Sequence, residues 1–294
     1  MQQAEWDIVT GVGITALGVA AGRAMETCRQ DALVSDPYAE AFVRAAAPPV
    51  PMPTRIDDDT DPDIPWSVMA TYTGVRSRYF DEYFADASAA GVRQVVLLAA
   101  GLDVRAYRLD WPAGTVVYEL DAPKVLGFKD GVLSDRGATP RAERRTVAVD
   151  LREDWANALR ERDFDVSRPT AWLAEGLLPF LPNEAKDSVF RRVHELSARG
   201  SRIAAEHVDD VGEVLKHARF HDMSVRFGVD MRDLWPDQED YRPADWLTEH
   251  GWAVDVVRAA EVAARYGRAL DNWTPDPAQS SQLITAHRGD GAVA

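Results

Sequence analysis

Apolar positions change their period along this chain, and the change divides it. In the first part they fall at helical spacing. Ile14, Leu17, Gly18, Ala21, Met25 and Cys28 mark one helical face. Asp36 followed by Pro37 reads as a helix cap and first helical position, predicting a helix over 37–47. Residues 48–65 are rich in proline and aspartate and read as a loop. Trp66, Met69, Tyr72, Phe80, Tyr83 and Phe84 then predict a helix over 65–89. From residue 94 onward, short apolar runs alternate with helical stretches. The runs predict strands at 94–99, 115–120, 144–149, 170–174 and 201–206. Helices are predicted at 123–137, 153–161 and 184–199 between them, and at 243–250. Two closing strands are predicted at 252–257 and 281–287. Such alternation implies an α/β fold with helices on both faces of a mostly parallel sheet. The two closing strands, joined by one segment, suggest an antiparallel last strand. The expected organisation is a helical extension over 1–90, then a sheet domain over 91–294. A helical lid is expected at about 208–245.

Composition narrows the class. The chain has 294 residues, 46% of them apolar, enough for a substantial core. The net charge of −15 argues against a nucleic-acid partner. No apolar run reaches the ~18 residues of a membrane span. No signal peptide is read, so a cytoplasmic protein is expected. The one cysteine, Cys28, falls on an apolar helical face and reads as core; it excludes an internal disulfide framework and a cysteine-based metal site. The histidines lack metal-ligand spacing, and the Asp57-Asp58-Asp59 run reads as a solvated loop, so no metal is expected.

The chemistry collects where strands end. Val95-Val96-Leu97-Leu98-Ala99-Ala100-Gly101-Leu102-Asp103 is an apolar run that stops at small residues and turns polar. Asp121 closes the next run, twenty residues after Gly101. Asp150 follows the third, and Glu175-Gly176 the fourth. In a parallel sheet these ends surround one crevice. A glycine turn with an acid at this spacing marks a ribose-binding site. A diphosphate fits poorly, because Asp103 opposes its charge and the full G-x-G-x-x-G is absent. S-adenosyl-L-methionine fits better: it has no phosphate and is net cationic. Asp121 suits the ribose hydroxyls, Asp150 the adenine amino group and Glu175 the ammonium. Arg78 or Arg105 suits the carboxylate.

These motifs resemble those of the leucine carboxyl methyltransferase-like family. The nearest likeness is its actinobacterial branch of S-adenosylmethionine-dependent O-methyltransferases, which includes polyketide carboxyl methyltransferases. The likeness rests on residues 99–109, Thr15 to Ala21, Asp36-Pro37, Arg76 to Asp81, Tyr118 to Asp121, Ala174 to Leu178 and Tyr266-Gly267-Arg268. It implies the seven-stranded, Rossmann-like class I methyltransferase fold. It also implies cofactor contacts at Arg78, Ala100, Gly101, Asp103, Asp121, Asp150, Leu151, Glu175 and Gly176. One position departs: Ala99 stands where the family has the first glycine of Gly-x-Gly. The implied reaction is methyl transfer to a carboxylate or hydroxyl of a small-molecule acceptor. A hydroxyl acceptor benefits from a base; His207 is the first candidate, then His217 and His221. Phe220, His221 and Phe227 are candidate acceptor contacts, and Trp235 a further aromatic of the lid. A cofactor-binding protein without catalysis and a nicotinamide-dependent oxidoreductase are the alternative readings. Oligomeric state is not legible in the sequence.

Overall fold

The computed structural model describes residues 8–58, 64–216, 225–226, 228–236, 241–270 and 280–289. Three helices come first: α1 (Val12–Thr27), α2 (Ala39–Ala46) and α3 (Trp66–Ala89). Then β1 (Gln94–Leu98), α4 (Arg105–Arg108), β2 (Val116–Asp121), α5 (Pro123–Asp135), β3 (Glu143–Ala148), α6 (Trp155–Arg160), β4 (Thr170–Ala174), α7 (Asn183–Glu195), β5 (Arg202–Val208) and α8 (Val211–Lys216) follow. Short helices at Met231–Leu234 and Pro243–Glu249 precede β6 (Trp252–Arg258). Helix Ala259–Arg265 separates β6 from β7 (Ser281–Arg288). All seven expected strands form.

The sheet runs in the order β3-β2-β1-β4-β5-β7-β6. Strands β1 to β5 pair in parallel, while β7 is antiparallel to both β5 and β6. The strand order reverses at β1, which pairs with β2 on one side and β4 on the other. At such a reversal the two following connections leave on opposite faces, opening a crevice at the carboxyl ends. Strand β1 is buried along its whole length. Its alternate residues feed two cores. Val95 and Leu97 face the one shared with α1, α2 and α3; Val96 and Leu98 face the one shared with α6 and α7. The first three helices thus share a continuous apolar core with one sheet face.

Two local expectations change. Helix α2 begins at Ala39, not Pro37. Asp36 still serves its start: Oδ1 accepts from the N–H groups of Tyr38 and Ala39, both at 3.0 Å. Cys28 is exposed rather than core. Helix α1 ends at Thr27, so Cys28 is its C-cap and leaves the buried stripe. Among the described residues no helix is long and apolar enough to cross a membrane.

Candidate functional site

The turn after β1 is tight for a readable reason. Ala99 and Gly101 both adopt left-handed backbone, with φ of 51° and 46°. This folds the chain back so that the Gly101 N–H donates to Asp121 Oδ2 at 2.6 Å. Asp121 Oδ1 accepts from the Ala122 N–H at 2.7 Å. Burial raises the Asp121 pKa above the ordinary carboxylate value, against those two backbone donors. Asp103 lies one turn further on. Burial alone would raise it, but Arg105, Lys129 and Arg108 hold it down to about 2.

Arg105 is a hub under this turn, only 2% exposed at its side chain. It pairs with Asp103, with Asp81 at 2.7 Å and with Glu175 at 2.7 Å. A charge buried this deeply is stable only with its partners in place. It therefore fixes Asp103 and Glu175 relative to one another. Glu175, at the end of β4, also faces Arg76 Nε at 2.9 Å. Burial acts to raise Glu175, but Arg105 and Arg76 lower it below the usual value. Arg76 in turn contacts both oxygens of Glu206, at 2.9 and 2.8 Å. Glu206 Oε2 accepts from the Gly176 N–H at 2.9 Å.

Gly101, Asp103, Asp121, Glu175, Arg76 and Glu206 line one cavity of about 370 Å³ at the carboxyl ends of β1, β2, β4 and β5. Its lining is mixed in chemistry. Asp103, Asp121, Glu175 and Arg76 stand around the β1 turn. Val19, Met69, Phe180, Met231 and Trp235 give the lining its apolar part. Met231 and Trp235 belong to a small cluster with Val208, Val214 and Leu215, which ties the described part of the 208–245 segment to the cavity edge.

Comparison with known proteins fits this geometry. The model of the leucine carboxyl methyltransferase family matches residues 16–194, more than half of the chain. The chain belongs to this family. Two relatives, each named "putative S-adenosyl-L-methionine-dependent methyltransferase", span nearly all of it. One, from Saccharopolyspora erythraea, is 49% identical over 97% of this chain and 98% of its own. The other, from Rhodococcus jostii, is 48% identical over 95% and 96%. In fold, the chain is similar to a DUF574 family protein from Streptomyces avermitilis. The TM-score is 0.54 at 16% identity, covering 91% of this chain and 97% of that one.

Within this methyltransferase, Ala100, Gly101, Asp103, Asp121, Glu175 and Gly176 all line the cavity. Several expected residues lie elsewhere. Arg78 is not in the lining: it pairs with Glu82 at 2.9 Å and lies over the Tyr266 ring. Arg76, on the same helix, is in the lining instead. Met69, Tyr72, Thr73 and Arg76 follow one helical face of α3, and Arg78, two residues on, points away from it. Arg105 sits beneath the lining, bound to acids. Asp150 and Leu151 are one strand end beyond Asp121 and outside the lining. Asp150 is held by Arg152, which lowers its pKa. His207 is buried on β5 between cavity-lining Glu206 and Val208; strand alternation turns it to the opposite face, 3.3 Å from Asp209. His217, Phe220, His221 and Phe227 lie outside the described residues. Besides Arg76, sequence reading missed Tyr72, Glu206 and Arg23, all in the lining. Arg23 is held at the turn by Asp36 at 2.9 Å and the Leu102 carbonyl at 2.8 Å.

Proposed function

We propose that this chain transfers the methyl group of S-adenosylmethionine to an oxygen of a small, largely apolar, polyketide-like acid. By family it is an S-adenosylmethionine-dependent methyltransferase; the acceptor and the oxygen are our reading. The observation that carries it is one cavity whose lining joins the acids around the β1 turn to a set of large apolar side chains.

The residues present fit the cofactor. Arg76 Nε and Glu175 Oε1 are buried and lie 2.9 Å apart, yet neither completes an aligned hydrogen bond. A buried arginine and glutamate side by side suit a ligand with an ammonium and a carboxylate on one carbon. Asp121 would accept from the ribose hydroxyls. Asp103 and Glu175 supply negative potential in a partly dehydrated site, where it counts most. The cofactor brings a methyl group already activated on a sulfonium.

What remains for the protein is alignment and exclusion of water. Fixed, in-line placement of two reactants is worth up to ~7–11 kcal/mol in well-oriented cases. The apolar part of the lining holds the acceptor body and keeps water from the methyl group. No imidazole lines the cavity among the described residues. The family is named for a carboxyl acceptor, and a carboxylate is already ionised at neutral pH and needs no base, which favours a carboxylate oxygen. Methyl transfer from labelled S-adenosylmethionine to a panel of apolar acids and matched phenols tests the reading. Labelled, base-labile methyl esters are expected. Transfer to phenols alone would overturn the carboxylate assignment.

A further inference from the structure

One polar patch lies where the charged and the apolar residues of the cavity lining meet, since Glu206 holds Arg76 while Ser281 pairs with Val208 of the cluster that includes Met231 and Trp235. It is built from three elements: Tyr72 of α3, Glu206 at the end of β5 and Ser281 at the start of β7. The sheet brings the last two together, because Val208 pairs with Ser281 and Glu206 with Leu283. The Tyr72 hydroxyl donates to Glu206 Oε1 and lies 2.6 Å from Ser281 Oγ. Glu206 is 4% exposed and Ser281 1%. Nearby wall residues Met69, Phe180, Val208, Met231 and Trp235 offer no comparable polar group apart from the indole N–H.

The hydrogen bookkeeping of the patch is one-sided. Glu206 already holds Tyr72, Arg76 and the Gly176 N–H. Tyr72 has a single hydrogen, and it goes to Glu206. What the patch still offers a ligand is mainly oxygen lone pairs, on Tyr72 and Ser281, beside a carboxylate. Such a surface takes a hydrogen-bond donor. We infer that Tyr72 and Ser281 form a subsite that recognises a hydroxyl on the body of the acceptor, so that the substrates are apolar hydroxy acids. Glu206 is its positioning residue: it fixes the Tyr72 hydrogen and turns the lone pairs to the cavity. The subsite rests on the methyltransferase reading and specifies its substrate class. A site that hydrogen-bonds a substrate hydroxyl discriminates strongly against the analogue lacking it, because its polar groups are then left unpaired.

The test uses the full chain saturated with S-adenosylhomocysteine. Calorimetry measures binding of aliphatic C8–C12 acids and aromatic acids, each with and without one hydroxyl. At least one hydroxy acid is expected to bind ten times or more tightly than its parent. Tyr72→Phe and Ser281→Ala should each shrink that preference to below threefold, while binding S-adenosylhomocysteine as the wild type does. Ser281→Ala, the smaller change, keeps the test valid if Tyr72→Phe melts early. Equal binding within every pair, no binding of any acid, or a preference that survives both variants overturns the subsite. Failure of the wild type to bind S-adenosylhomocysteine overturns instead the reading on which the subsite depends.

Discussion

Ala99 holds its left-handed φ of 51° with a side chain that disfavours it. That conformation costs an L-residue roughly 1–2 kcal/mol. Glycine avoids the clash, though its looser unfolded chain takes back about 0.4–1 kcal/mol. Ala99→Gly is therefore expected to raise the melting temperature slightly and leave S-adenosylhomocysteine binding intact or tighter. A clear fall in melting temperature would mean that the methyl group contributes packing that outweighs the strain. Asp121 is the second decisive residue. Its pKa is raised by burial, so it takes up a proton at higher pH than an ordinary carboxylate. In the proposed site, protonation would remove its charge and one acceptor for the ribose. Cofactor affinity is expected to weaken on acidification, starting above the normal carboxylate range. Asp121→Asn should flatten that pH dependence, and it should lower affinity by ten- to a hundredfold at neutral pH, about 1.5–3 kcal/mol for a charged hydrogen bond. Titration calorimetry across pH checks both.

At the scale of elements, α1 and α3 position much of the site, and they approach closely. A Cβ on Gly74 of α3 would lie 2.6 Å from Cγ and 2.7 Å from Cδ of Glu26 on α1. Glu26 cannot swing aside freely, because Oε1 accepts from the Leu33 N–H at 2.8 Å and it is fully buried. Gly74→Ala is expected to destabilise by about 1–3 kcal/mol, the usual cost of overpacking, read as a lower denaturation midpoint. An unchanged midpoint would show that α1 moves at no cost. Elements also explain what the sequence made legible. The parallel strands stood out because burial on both faces makes them continuous apolar runs. That same continuity hid the orientation of β5. Ile203, Ala204 and Ala205 are all buried, so no alternation tells which of Glu206 and His207 meets the cavity. On α3 the signal was present. The helical period separates Arg76 from Arg78, and Tyr72 and Arg76, four apart, share a face.

Across the whole molecule, acids around the crevice are tied to arginines, most of them from distant segments. Asp103 and Glu175 meet Arg105, Asp36 meets Arg23, and Glu206 meets Arg76. Spacing reveals Asp103 and Glu175, since each follows a strand; Asp36 reads only as a helix cap, and Glu206, inside β5, goes unread. The partners come from helices whose packing only the folded chain decides. This coupling sets the acid limit of the fold. Asp103 titrates at about 2, below its value in an unfolded chain, so its contribution is complete above about pH 4 and is lost as pH falls through about 2. Glu175 is shifted in the same direction. Stability is expected to decline between about pH 4 and 2, more gently in Asp103→Asn, where the titrating group is gone. Urea denaturation as a function of pH measures this; equal slopes in both proteins would exclude Asp103 as a contributor.

In the proposed function, the cavity at the carboxyl ends of β1, β2 and β4 takes S-adenosylmethionine, with Asp121 on its ribose. Titration calorimetry of S-adenosylhomocysteine and NAD into wild type and Asp121→Ala tests it most directly. The wild type is expected to bind S-adenosylhomocysteine but not NAD, and Asp121→Ala, still folded, to lose most of that affinity. NAD binding without S-adenosylhomocysteine binding, or an affinity unchanged in Asp121→Ala, would contradict it.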